Sequence, residues 1–131
     1  MAAGFRLAVS ELQLAMEQAP PTHRNEAEAD LRFARAAALH FQAAANQARF
    51  VLARDTLTQS ANALAPEERR RLQAEAKRCL ESEIALARQL FSLVREDSRI
   101  GFEPSCHYFY LPLDLVEKVV NCRWLLEQLK E

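Results

Sequence analysis

Apolar residues recur at three- and four-residue steps along most of this chain, the period of a helix face turned toward a core. Phe5, Ala8, Leu12, Ala15 and Ala19 trace the first such face and predict a helix from about Ala3 to Gln18, which Pro20-Pro21 ends. A second helix is predicted from Asn25 to about Leu64, with Asn25 as the capping side chain and Glu28 completing a box-like pair. Its stripe Leu31, Ala34, Ala38, Phe41, Ala45, Ala48, Leu52 keeps a three-four alternation suited to antiparallel helix packing. A rotated line, Phe50, Ala53, Leu57, Ala61, Leu64, turns the distal half toward a different neighbour. Pro66 suits the first position of a third helix, with Glu67 and Glu68 in the first turn, and Leu72, Ala76, Leu80, Ile84, Ala87, Phe91 and Val94 carry it to Glu96. Pro112 opens a fourth, in which Leu115, Val119, Cys122, Leu126 and Leu129 step by four and three and Asp114 lies in the first turn.

These patterns predict an all-α fold spanning residues 1–131 as one domain: an antiparallel bundle of about four helices around a central long hairpin. The first and fourth helices pack on that hairpin, either in one groove or on opposite sides. Composition agrees. Half of the 131 residues are apolar and only two are glycine, so the chain has few helix breakers and enough apolar mass for a core.

Charge narrows the function classes. The net charge is −1, and the balance holds locally, with four acids and four bases from Glu26 to Leu64 and seven of each from Pro66 to Asp97. A nucleic-acid binder concentrates basic residues on one element; here Arg69-Arg70-Arg71 follows Glu67-Glu68 and reads as a solvated helix start. No stretch is long and apolar enough to span a bilayer, so neither nucleic acid nor membrane is expected as a partner. Cys79, Cys106 and Cys122 form an odd set without a CxxC spacing, which points away from a disulfide framework or structural zinc and toward a reducing setting. That setting is cytoplasmic if the chain is complete; a piece of a longer protein could have left an export signal upstream. No cofactor and no metal is expected.

The segment from Asp97 to Pro112 concentrates the candidate chemistry, holding four of the ten aromatic residues together with Gly101, Cys106 and His107. A connection of about fifteen residues exceeds the roughly two to eight usual between helices, and such long connections tend to be functional. Arg99 and Glu103 could pin it by a salt bridge between them or from either to a neighbouring helix, while Gly101 has the place of a helix-closing glycine with positive φ. Phe102 and Phe109 are expected to plug the end of the bundle. Cys106 and His107 point to opposite sides of an extended backbone and do not make a thiol-imidazole pair. Arg99, Glu103, His107, Tyr108 and Tyr110 remain as substrate-binding or interface candidates, with no catalytic residue assigned. Elsewhere, His40 reads as a buried, satisfied histidine or a boundary residue, His23 as solvated, Cys79 and Cys122 as small core residues, and Trp124 as rim or contact surface.

The run Asp97-Ser98-Arg99-Ile100-Gly101-Phe102-Glu103, then His107-Tyr108-Phe109-Tyr110 and Asp114-Leu115, Glu117-Lys118-Val119 and Asn121-Cys122, resembles the C-terminal helical region of large bacterial glycoside-hydrolase-like proteins related to hexosaminidases and α-glucuronidases. The resemblance covers roughly the last 35 residues and extends more loosely over Asp30 to Asp55. That family's pattern has asparagine at the position of Cys106 and a capping hydroxyl residue at that of Leu111. What the resemblance implies is an accessory module of a multidomain carbohydrate-active protein, which docks on a catalytic barrel or contributes to its substrate site. Two carboxylates about 5–10 Å apart are needed for glycoside hydrolysis, and this segment offers Glu103 without a mate. Two other readings stand beside it: a free-standing interaction protein that dimerises through the alanine-rich seam, and a small enzyme using His107 and Glu103.

Overall fold

The computed structural model describes residues 2–60, 63–101 and 110–129, together with the backbone of 102–103 and 107–108. It is an all-α bundle of four helices: α1 (Ala2–Glu17), α2 (Arg24–Gln59), α3 (Pro66–Glu96) and α4 (Pro112–Gln128). A 3-10 turn, Pro21–His23, joins α1 to α2, and a minimal antiparallel pair, β1 (Phe102–Glu103) with β2 (His107–Tyr108), lies between α3 and α4. Both prolines predicted to open helices do so. Pro66 and Pro112 stand at the first helical position, where the N–H they lack would have had no partner. At α4 the Leu111 amide donates to Asp114 Oδ2 at 3.2 Å, so the first-turn acid closes the helix start.

The second helix differs from its predicted span at both ends. Pro21 starts a 3-10 turn that runs directly into α2, so His23 holds the cap position and Asn25 lies inside the first turn, with no capping bond. At the far end α2 stops at Gln59 rather than Leu64. Hydroxyl residues crowd this last stretch: Thr56 Oγ1 donates to the Leu52 carbonyl at 2.8 Å and Thr58 Oγ1 to the Arg54 carbonyl at 2.9 Å. Such back-bonding competes with the helix, and Ser60 then carries the chain into a turn closed by Ala63 N and Leu64 N on its carbonyl.

α2 and α3 form the central hairpin, and small residues set their spacing. Ala36, Ala38, Ala43 and Ala53 of α2 and Ala76 and Ala87 of α3 are buried, letting the two backbones approach closely. The predicted α2 stripe holds at Leu31 and Ala38 but reaches solvent at Ala48 and Leu52. A strict three-four spacing averages 3.5 residues per turn against the helix's 3.6, and the resulting drift of about 20° per heptad carries its far end off the seam. Phe50 and Ala53 of the rotated line replace it there, Phe50 facing Cys122 and Leu125 of α4 across a cavity of about 200 Å³. α1 lies along α2 and α4 along α3, and α1 and α4 do not meet among the described residues. Because α1 rests on one helix only, it buries no residue fully, and the side chains it half-buries are Ala2, Phe5, Val9 and Met16 rather than the full predicted stripe, with Ala19 half-buried just beyond its end. Phe5 stacks on Phe41 with ring centroids 4.3 Å apart.

A polar chain crosses the bundle. Arg6 of α1 donates to Gln42, Gln42 Nε2 donates to Asn46 Oδ1 at 3.0 Å, and Asn46 Nδ2 donates to Ser82 Oγ at 2.8 Å and to Glu83 Oε1 at 3.0 Å. Lys118 Nζ of α4 closes it on Glu83 Oε2 at 2.6 Å. Asn46 is 3 % exposed and Glu83 7 %, yet no buried side-chain polar atom among the described residues lacks a partner. Burying these groups is tolerated because each is satisfied.

Candidate functional site

The segment after α3 is built around Asp97, which is 7 % exposed. α3 ends there because Asp97 adopts an extended backbone, and the Ile100 amide then donates to the Asp97 carbonyl at 3.1 Å, closing a turn. The carboxylate clamps that turn: Oδ1 accepts from the Arg99 amide at 3.1 Å and from Arg99 Nε at 2.9 Å, and Oδ2 accepts from Arg99 Nη2 at 2.6 Å. Arg32 of α2 adds a second cation 3.7 Å from Oδ2. Hydrogen bonds from the Arg99 guanidinium, against the opposing effect of burial and with help from the Arg99 amide and the two positive charges, hold the Asp97 carboxyl down to about 2.

Ile100 follows as the core anchor, buried with Leu90, Val94 and Leu115. Gly101 takes φ +86, and a Cβ there would sit 3.1 Å from Tyr110 Cβ and 3.2 Å from Tyr110 N. Glycine is needed on both counts, for the positive φ and for the close approach of the returning strand. The chain then pairs with itself, Phe102 opposite Tyr108 and Glu103 opposite His107. Tyr110 comes back against the core edge, and its hydroxyl lies 2.6 Å from His40 Nδ1 on α2, with the two rings edge to face. Burial, and then the nearby Glu83 charge, raise the Tyr110 phenol, so it stays protonated.

Arg99 and Tyr110 meet over the outer face of α2. They form the rim of a groove of about 360 Å³ whose walls include Phe33, His40, Phe41 and Leu90. The Arg99 guanidinium stands 5.1 Å from the Phe33 ring centroid. The groove can hold a flat or apolar group against aromatic rings, with an exposed imidazole and a guanidinium at its edge.

Among the candidates read from the sequence, Arg99 and Tyr110 are thus brought together. The side chains of Glu103, His107 and Tyr108 lie outside the described residues, as do those of Phe102 and Phe109, and so does Cys106. Arg99 is clamped by Asp97, the turn folding the guanidinium back over a carboxylate two residues earlier, while the expected Arg99–Glu103 salt bridge involves a side chain outside the described residues. Tyr110 is half-buried and shares its hydroxyl with His40, so part of its role is to fasten the segment to α2. His40 is an exposed, satisfied boundary residue, and His23, also exposed, sits 3.2 Å from Glu26. Cys79 and Cys122 are buried free thiols, both raised chiefly by burial. Asp97 and Phe33 were missed; the signal for Phe33 was the i, i+4, i+7, i+8 line Phe33, Ala37, His40, Phe41, which marks a second face of α2. Trp124 is exposed on α4. No helix among the described residues is long and apolar enough to cross a membrane. Comparison with family models, with curated proteins and with solved structures gives no match.

Proposed function

We propose that this chain is a non-catalytic helical accessory module that docks on the catalytic domain of a glycoside-hydrolase-like parent protein. The contact surface is the end of the 97–112 segment together with the outer face of α4. The observation that carries this reading is an apolar line on that face. Leu111, Leu113, Val116, Val120 and Trp124 continue one another from the segment into the helix, with Leu113 74 % exposed and Val120 and Trp124 each 58 %. Single exposed apolar residues are ordinary, but a contiguous row of five large ones marks an interaction surface. The occupant comes from the resemblance of 97–122 to the helical region that accompanies a barrel in those proteins. Arg99 and Tyr110, with Glu103, His107 and Tyr108, would complete the seam or touch a substrate held at it.

The alternative, dimerisation through the alanine-rich seam, has less free apolar surface to use: Ala38 is buried, Ala34 and Ala45 are half-buried and Ala48 is exposed. The enzymatic reading rests on Glu103 and His107, whose side chains lie outside the described residues.

The test begins with the neighbouring coding sequence, where the absence of a barrel in the same reading frame overturns the proposal, and continues with calorimetric titration of such a barrel into wild type, Val120→Glu and Trp124→Glu. Binding by wild type that falls at least tenfold in both variants, at unchanged helix content, supports docking. A barrel that binds none of them, or binds all three equally, overturns it, as does a concentration-dependent dimer that the variants dissociate.

A further inference from the structure

A second groove lies among the described residues away from the 97–112 segment. It follows from how α1 is seated: α1 rests on α2 and leaves the flank of α3 uncovered, opening a trough of about 590 Å³ between the three helices. The floor is apolar, made by Val9 of α1, Leu39 of α2 and Leu86 and Leu93 of α3. All four are half-buried, so they shape the trough without being sealed in the core.

Two guanidinium groups stand on its lips, Arg6 from α1 and Arg35 from α2. Arg32, Arg71, Arg78 and Arg99 each have a carboxylate within ion-pair distance, but among the described residues Arg6 and Arg35 have none. Their partners are neutral amides: Arg6 donates to Gln42, and Arg35 Nη2 donates to Gln13 Oε1 at 3.5 Å. The trough therefore carries uncompensated positive charge at its rim and apolar surface at its base. Guanidinium is the group that holds a carboxylate by a two-point fork, and the volume falls within the roughly 300–1,000 Å³ usual for small-molecule sites.

We propose that this trough binds a small anionic amphiphile, an apolar body carrying one carboxylate. The chain of the ligand lies along Val9, Leu39, Leu86 and Leu93, and its head is gripped by Arg35 and Arg6. In gripping it, Arg6 exchanges its amide partner for a charged one. This site shares none of the residues of the docking reading above, so either can fail without the other.

Dodecanoate below its micelle concentration serves as the probe, titrated calorimetrically into the full chain, with 1-decanol and a dodecyl trimethylammonium salt as neutral and cationic comparisons. The expected result is saturable one-to-one binding of dodecanoate. Binding weakens at least tenfold in Arg35→Gln, is lost in the Arg6→Gln/Arg35→Gln double variant, and is at least tenfold weaker for both comparison compounds. Arg35→Lys, which keeps the charge but not the fork, falls between wild type and Arg35→Gln. Circular dichroism checks that each variant is folded; if the double variant unfolds, Arg35→Lys against Arg35→Gln decides. No saturable binding, equal binding of acid and alcohol, or binding indifferent to both arginines overturns the proposal. So does arginine-dependent sedimentation with phosphatidylglycerol vesicles in the absence of dodecanoate binding.

Discussion

Removing the charge of Lys118 should loosen α4 from the hairpin, and removing Glu83 as well should restore much of the loss. Lys118 and Glu83 meet at 2.6 Å, and Glu83 also accepts from Asn46, whose amide is shared with Ser82 and Gln42. Glu83 is 7 % exposed, so Lys118→Met leaves a carboxylate with one neutral donor in a nearly dry place. Breaking a buried pair from one side costs about 3–5 kcal/mol. Here the lysine end is 36 % exposed and water can reach the vacated side, which lowers the expected cost to about 2 kcal/mol. Glu83→Gln keeps an acceptor for Asn46 and strands a cation that can turn to solvent, so about 1 kcal/mol is expected. The double variant removes both charges together and should cost no more than about 1 kcal/mol relative to wild type, a coupling of about 2–3 kcal/mol. Urea unfolding followed by far-ultraviolet circular dichroism reads this directly. With a slope of about 2 kcal/mol per molar, Lys118→Met moves the midpoint down by about 1 M at unchanged slope. Two small and additive single effects, or a double variant as unstable as the sum of the singles, would refute the view that this network holds α4 in register.

Two further outcomes follow from the 97–112 segment. The Asp97 carboxyl sits at about 2 when folded, below the roughly 3.9 of an unfolded chain, so its contribution to stability is full above about pH 4 and is lost as pH falls from there to about 2. Asp97→Asn should therefore lower the thermal midpoint at neutral pH and flatten that acid limb; a limb as steep as wild type's would show that the clamp is not linked to folding. Gly101→Ala forces a side chain to φ +86 and against the Tyr110 backbone, and should cost about 1–2 kcal/mol or more in urea unfolding. A neutral result there would mean that the turn is not held in this conformation.

Much of the architecture could be read from local pattern. Pro66 and Pro112 open α3 and α4 because a residue without an N–H is tolerated at the first helical position, and the stripe from Leu72 to Val94 is long enough that one face had to be the inner one. Gly101 was legible in part: its positive φ was expected, but as the close of α3, whereas the helix ends at Asp97 and Gly101 serves the turn beside Tyr110. Cys79 and Cys122 read as small core residues from the apolar positions around them, and both are buried. Each of these inferences rests on forces acting within a few residues, and those forces are written in the order of the side chains.

The partners of polar groups were not written there. Arg99 has carboxylates at residues 96 and 97 close by along the chain, and only the folded turn brings its guanidinium onto Asp97. His40 and Tyr110 stand 70 positions apart, and Asn46, Glu83 and Lys118 come from three helices, so no spacing rule joins them. Whether α1 and α4 share a groove depends on which flank of the hairpin each covers, and the structure places α1 along α2 and α4 along α3. The same seating leaves the α4 row from Leu113 to Trp124 and the Arg6–Arg35 trough open to solvent. What the sequence determined alone was which residues form helices and which face of each is apolar, because helix period and breaker chemistry are local. What only the tertiary structure decided was which apolar faces are consumed and which polar groups meet, because both are set by how whole helices pack across the bundle.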